Sequence, residues 1–403
     1  MNYFKLKENL LISEYDFPYD KFINFKDYKG IIYYLAKLPL PSKLKFSAVS
    51  YNDLLIDKEE IENILTDNRI SKDEFINENI SKENISVINT NYPNWERALT
   101  GNKIEKWKVN LIGLGDVGGT LLTGLRLLGG DVIDKIGIYD LDEKKINRWF
   151  YEGNQIVSLN DTSYPEIIKL KKDEIFNCDA FIFCVTLGIP TLDSTIKDVR
   201  MAQYEKNSKI IKSYCEKGRE KGFNGLFAVV SDPVDLLCYS AFEAFNQDCN
   251  GKFDYLGIPA ENIKGYGLGV MNGRASFYGG ENYLKEGRVF GPHGKGLIVV
   301  NSIDNYNEKL SDYLTDKTTN CNLEVREFGY KPYIAPALSS AAISIIDTLR
   351  GKYNYSNVFI DNAFFGIKNK ITKSGVQTEK INYNSLIFNK IIETHKYIKS
   401  FSK

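Results

Sequence analysis

Two short stretches of this chain carry the residue types of an active site. The first is "GRVFGPHGKG", residues 287–296, which holds His293, one of only two histidines in 403 residues. An imidazole between Pro292 and Gly294 can exchange a proton near neutral pH. It can equally cap a turn. The second is "GLGDVG", Gly113 to Gly118, which matches G-x-G-x-x-G between an apolar run and a leucine-periodic segment. In that setting Gly113 allows a tight turn and Gly115 lets the backbone approach a pyrophosphate. Asp116 and Val117 open a helix whose N-terminus favours phosphate charge, and Gly118 permits close helix–strand packing. Asp140 stands at the end of the next apolar run. A carboxylate there accepts hydrogen bonds from ribose hydroxyls and repels a 2′-phosphate, which favours NAD over NADP. Thr186 and Gly188, closing "DAFIFCVTLG", complete the expected cofactor set. The competing reading is a glycine turn in an α/β domain that binds nothing.

The elements that would hold these residues follow from hydrophobic pattern. From Trp107 onward, "KVNLIGLG", "KIGIYDLD", "DAFIFCVTLG" and "GLFAVVSDP" read as buried strands. They alternate with helical segments "DVGGTLLTGLRLLGG", "DEKKINRWFYEGNQI", "STIKDVRMAQYEKNSKIIKSYCEKGREKG" and "VDLLCYSAFEAF". Near-continuous apolar strands alternating with helices predict a parallel sheet covered on both faces. The second half predicts short strands at "NIKGYGLG", "GRVFG" and "GLIVVNS", a small-residue helix at "YIAPALSSAAISIIDTLRGK", and an antiparallel sheet at "SNVFIDNAFFGI" and "NKITKSGVQ". "SLIFNKIIETHKYIKSF" predicts a terminal amphipathic helix, on which His395 reads as a packing or surface residue. Before Trp107 the pattern is weak. "KGIIYYLAKLPLP" suits a strand or short helix, and the polar "SKDEFINENISKENISVINTN" reads as a linker or surface turn region. The expected division is an N-terminal extension of unknown fold at 1–105, a Rossmann domain at 106–250 and an α+β catalytic domain at 251–403.

Composition narrows the function class. Lysine plus arginine equals aspartate plus glutamate at 52 each, so net charge offers no case for nucleic acid or an anionic membrane. No stretch reaches the roughly 20 apolar residues of a membrane span, and the first residues show no signal-peptide pattern. The six cysteines form no CxxC pair and several lie in apolar runs, which suits reduced thiols in the cytoplasm. With two histidines and no paired cysteines, no metal site is expected.

From about Lys108 to Val376 the chain resembles the L-lactate/malate dehydrogenase family. "VNLIGLGDVGGTL", "IYDLD", "DAFIFCVTLG", "VRMAQYEKN", "AVVSDPVDLL", "GYGLGVMNGRASF", "FGPHGKG" and "FFGIKNKITKSGV" carry the resemblance in order. It implies an α/β fold: a Rossmann-type parallel sheet domain followed by an α+β C-terminal domain, here with an N-terminal extension. It also implies NAD as cofactor, a small-molecule substrate and a homo-oligomer, dimer or tetramer. The family's chemistry pairs a histidine, which exchanges a proton with the substrate oxygen, with an orienting aspartate. One arginine grips the substrate carboxylate and a loop arginine polarises the carbonyl. An asparagine after the fourth strand donates to the same oxygen. On this resemblance His293 is the acid/base.

Arg200 matches the loop arginine, with a helix-surface charge as the alternative. The loop before it, "GIPTLDSTIKDVR", lacks the family's hinge glycine near Lys197, and its closure would bring Thr191 to Thr195 over the substrate. Two positions depart outright. Aligning "GLGVMNGRASF" without gaps puts Gly273 at the aspartate and Ser276 at the arginine. Asp232 replaces the asparagine, and an ionised carboxylate cannot donate. Asn272 is a candidate to orient His293, while Arg274 and Arg288 are candidate anion clamps or ordinary surface charges. Two functions fit. One is an NAD-dependent oxidoreductase acting on a hydroxyl/carbonyl pair with an atypical substrate. The other is a non-catalytic NAD-binding protein on a dehydrogenase scaffold, with a regulatory or partner-binding role for the N-terminal residues.

Overall fold

The computed structural model of the protein describes residues 1–99, 104–160, 163–187 and 199–402. The N-terminal segment folds as a small α/β layer. β1 (Asn2–Leu6) and β2 (Asn9–Ser13) form a hairpin edged by β3 (Asp20–Lys21), followed by β4 (Ile32–Ala36), β5 (Lys45–Ser47), α1 (Glu74–Ser81) and β6 (Ile85–Asn89). "KGIIYYLAKLPLP" is therefore a strand. The stretch expected as a polar linker is instead α1 and β6. Asp73 caps α1 by accepting from the Phe75 backbone N–H at 3.0 Å. β6 is buried throughout and lies between β4 and β5. Its polar Asn89 misled the reading because it is satisfied internally. Asn89 accepts from the Leu38 N–H at 3.0 Å and donates to Ser42 Oγ at 2.8 Å.

Beyond this segment come β7 (Trp107–Ile112), α2 (Asp116–Leu128), β8 (Ile133–Tyr139), α3 (Glu143–Asn154), β9 (Glu166–Lys169), β10 (Ala180–Phe183), α4 (Val199–Glu220), β11 (Leu226–Val229), α5 (Val234–Asn246) and β12 (Ile263–Gly265). Among the described residues the six strands form one all-parallel sheet in the order β12-β11-β10-β7-β8-β9. The order reverses between β7 and β10, and a doubly wound sheet opens its ligand crevice at the carboxyl end of that point. β9 has no counterpart in the pattern reading. β12, expected among the strands of the second half, is the sheet's edge, so the sheet runs to Gly265, past the boundary expected at 250.

The remaining elements are α6 (Leu268–Glu286), β13 (Arg288–Phe290), β14 (Ile298–Val300), α7 (Glu308–Glu327), α8 (Ser344–Leu349), β15 (Asn354–Ile360), β16 (Ala363–Thr372), β17 (Gly375–Thr378) and α9 (Ser385–Lys399). α7 was not read from the sequence. The small-residue helix begins as a wide π turn, Pro336–Ile343, before tightening into α8. Small residues let it press on both neighbours. A Cβ at Gly124 of α2 would lie 2.5 Å from the Ala342 Cβ, and one at Gly269 of α6 would lie 2.4 Å from the Ser339 carbonyl.

The N-terminal segment shares its sheet with the C-terminal meander. β15, β16 and β17 are antiparallel, and Val376 of β17 pairs with Phe46 of β5, giving a nine-stranded sheet among the described residues. One apolar core spans the join, with Ile12, Tyr34, Val87, Phe365, Ile367, Ile387, Ile391 and Ile398 all buried in it. His395 is a packing residue here, 2% exposed, with Nε2 3.0 Å from the Ile360 carbonyl. A second tie joins the segment to the parallel sheet. The buried Glu261 carboxylate, just before β12, accepts from the Leu44 and Lys45 backbone N–H groups at 3.0 and 2.7 Å. Burial pushes that carboxyl up to about 7.

Candidate functional site

The phosphate loop sits where β7 hands over to α2. Gly113 has φ +95°, and a Cβ there would lie 2.6 Å from the Cys184 carbonyl at the end of β10. A Cβ at Gly118 would lie 1.9 Å from the Gly113 carbonyl. Gly115 differs. Its φ is −76°, no atom lies within 4 Å of its Cβ position, and no side chain caps the helix it opens. Two glycines are thus required by the protein's own backbone, and the third faces open space before uncapped N–H groups. Such an arrangement could hold a phosphate group at the helix N-terminus.

The flanking residues complete the loop. Asp140, at the end of β8, accepts from the Leu114 N–H at 2.7 Å and the Asp142 N–H at 2.9 Å. The carboxylate therefore braces the loop and keeps further lone pairs for ribose hydroxyls. Asp116 points its carboxylate at Lys331 Nζ, 3.0 Å away, so only its backbone belongs to the cradle. Val117 is half-buried in the first turn of α2.

Four loops meet along the same edge of the sheet. After β10, Thr186 Oγ1 accepts from Asn207 Nδ2 at 3.2 Å, and the Leu187 N–H donates to Asn207 Oδ1 at 3.0 Å. After β11, the Asp232 carbonyl accepts from the same Asn207 Nδ2 at 2.8 Å, and Ser231 Oγ donates to the Val185 carbonyl at 2.7 Å. Asn207, on α4 and fully buried, thus joins the cofactor side of the edge to Asp232. The Asp232 carboxylate then meets His293: Oδ1 lies 3.2 Å from Nδ1, with the histidine side chain 19% exposed and the aspartate 51%. Contacts run without a break from Gly113 through Cys184, Thr186, Asn207 and Asp232 to His293.

The histidine's setting explains the glycines around it. Gly291, Gly294 and Gly296 all have positive φ. The Gly294 N–H donates to the Pro292 carbonyl at 2.9 Å, closing a tight turn with His293 at its tip. The Gly291 N–H donates to the Gly366 carbonyl of β16 at 2.9 Å. At the start of α6, a Cβ on Gly267 would come within 2.9 Å of the His293 Cβ.

Three expectations need correcting. Asn272 accepts from the Tyr283 hydroxyl at 3.2 Å, and the partner found at His293 is Asp232. Arg288 is not an anion clamp. Its guanidinium grips Glu379 with two hydrogen bonds of 2.7 and 3.1 Å. Arg274 turns toward α7, donating to the Thr318 carbonyl at 3.4 Å, and burial lowers its guanidinium below the ordinary value. Gly273 is exposed, with Ser339 Oγ 3.8 Å from its Cβ position, so space for a side chain exists where the resemblance expects an aspartate. Gly188 and residues 191–195 lie outside the described residues, as does the side chain of Arg200. Sequence reasoning missed Asn207 altogether. Its only signal was its place in "VRMAQYEKN", which by itself marks a helix surface.

Residues 107–250 match the model of the lactate/malate dehydrogenase NAD-binding domain. The L-lactate dehydrogenase of Staphylococcus saprophyticus is 28% identical over 203 residues, which are 49% of this chain and 58% of that one. The chain thus spans little more than half the length of that curated relative. In fold, a minor L-lactate dehydrogenase from Enterococcus mundtii matches with a TM-score of 0.59 and 16% identity, over 74% of this chain and 98% of the other. A malate dehydrogenase from Archaeoglobus fulgidus, solved with NADH, matches with a TM-score of 0.59 and 17% identity, over 73% and 98%. A doubly wound sheet, a glycine turn at its switch point and these likenesses agree: residues 107–250 are a domain of the lactate/malate dehydrogenase NAD-binding type.

Proposed function

We propose that the protein is an NAD-dependent oxidoreductase acting on a hydroxyl/carbonyl pair. The observation that carries this reading is the His293–Asp232 pair on the same sheet edge as the phosphate cradle, joined to it through Asn207. A bound nicotinamide dinucleotide supplies the hydride acceptor or donor. Gly113, Gly115 and Gly118 would hold its pyrophosphate with the N-terminus of α2, and Asp140 its ribose. His293 then exchanges the proton of the substrate oxygen. Residues up to Gly265 hold the cofactor and those beyond supply the histidine.

A simple 2-oxo acid is a poor substrate for this site. Gly273 and Ser276 stand where a carboxylate-binding family member has an aspartate and an arginine, and Asp232 adds negative charge beside the histidine. The reading favours an uncharged or cationic hydroxy compound, in a protein that works in the cytoplasm as a homo-oligomer.

The test is NADH binding by fluorescence, with turnover of hydroxy acids, hydroxy esters and amino alcohols read by NADH absorbance. His293→Ala abolishes turnover and leaves NADH affinity within about threefold, because the histidine contacts substrate and not the cradle. Turnover that survives this substitution rules out the assignment. NADH binding without turnover of any compound favours the non-catalytic reading.

A further inference from the structure

We infer that Asp232 is the carboxylate that positions His293, a role that has moved from α6 to the end of β11 in this protein. The inference rests on the dehydrogenase reading above for its purpose, but its geometry stands alone. Oδ1 of Asp232 lies 3.2 Å from Nδ1 of His293. Both partners are fixed from outside the pair. Asn207 holds the Asp232 backbone carbonyl, and the turn closed by Gly294 on Pro292 aims His293. The residues of α6 do not compete: Asn272 serves Tyr283, and Gly273 has no side chain.

The pairing selects a tautomer. An ionised carboxylate only accepts, so the ring proton sits on Nδ1 and the Nε2 lone pair faces away from Asp232. In the oxidation direction the substrate O–H proton passes to Nε2. A bound oxidised dinucleotide would accept the C–H hydride, with its two electrons, as the C=O bond forms. The imidazolium that results faces a carboxylate rather than solvent. The move has a chemical cost. Asparagine at this position donates to the substrate oxygen, and aspartate cannot. A site that needs the histidine's partner more than that extra donor is consistent with a substrate other than a 2-oxo acid.

The chain's two histidines make the test direct. Nitrogen-15 histidine NMR of the whole protein at alkaline pH gives two imidazole systems, assigned with His293→Gln. They should show opposite tautomers. His395 carries its proton on Nε2, toward the Ile360 carbonyl, and His293 carries it on Nδ1 by about tenfold or more. Asp232→Ala removes the His293 preference and leaves His395 unchanged. In turnover, Asp232→Ala and Asp232→Asn lower kcat about a hundredfold or more while KM and NADH affinity stay within about threefold, and Asp232→Glu recovers part of the loss. A wild-type His293 protonated on Nε2, or a tautomer indifferent to Asp232→Ala, overturns the inference. These spectra need neither cofactor nor substrate. A protein that turns over no compound therefore loses the dehydrogenase reading while the tautomer still decides on Asp232.

Discussion

The same one-carbon change at Gly115 and at Gly118 should weaken NADH binding in both cases and lower stability only at Gly118. At Gly118 a Cβ would lie 1.9 Å from the Gly113 carbonyl, and both groups are backbone, so no rotamer relieves the clash. Overpacking of this kind costs up to about 3 kcal/mol. Replacing glycine by alanine in a helix returns about 1 kcal/mol. The net loss of about 2 kcal/mol lowers Tm by about 2–3 °C in a chain of 403 residues, and the displaced loop also loses NADH. At Gly115 the backbone already sits at φ −76°, ψ −162°, which alanine adopts freely, and no atom lies within 4 Å of the new methyl. The unfolded chain becomes stiffer, worth about 0.4–1 kcal/mol, so Tm holds or rises slightly. The methyl instead fills the space that the pyrophosphate needs. Losing one charge-assisted hydrogen bond there costs about 1.5–3 kcal/mol, or roughly 10- to 150-fold in NADH affinity. Differential scanning fluorimetry and an NADH titration on the two variants read both quantities. Gly115→Ala that binds NADH like the wild type would show that no diphosphate approaches residue 115. Gly118→Ala with an unchanged Tm would refute the packing argument.

Asn207→Ala removes the buried bridge between Thr186 and Asp232. It should lower stability by about 1–3 kcal/mol and kcat about tenfold or more through the misplaced Asp232; urea unfolding and steady-state kinetics decide, and full activity in the variant would deny Asn207 its linking role. The pH dependence of stability should carry a signature of Glu261. Its carboxyl rises from 4.5 to about 7 in the folded protein, chiefly by burial, so the folded state holds the proton longer than the unfolded one. That contribution is present below pH about 4.5 and is lost as pH rises through about 7, a change on the order of 3 kcal/mol. Tm measured from pH 4.5 to 7 should fall less steeply in Glu261→Gln, and identical slopes would remove Glu261 as the cause.

Contiguous features were readable. The glycine cradle, the strand before it and the acid after it lie within residues 107–140, and each glycine's role follows from local backbone geometry. The helix of small residues was readable too, but not its opening as a π turn, because that shape answers to Gly124 and Gly269 on two other helices. Weakly patterned strands were not. β6 spends the Asn89 side chain on Leu38 and Ser42, and one-dimensional pattern counts such a residue as exposed.

By itself the sequence indicated the parallel-sheet domain and marked a glycine turn and a histidine turn as candidate site residues, because the strand pattern and each turn are written in residues close together in the chain. Only the tertiary structure decided the partners. Asp232 and His293 are separated by 61 positions and meet because β11 and the Gly291–Gly296 turn end at the same edge. The N-terminal segment completes a sheet with β17 for a related reason: a strand edge and an apolar face are satisfied by whatever the fold brings alongside, and no local pattern names that neighbour.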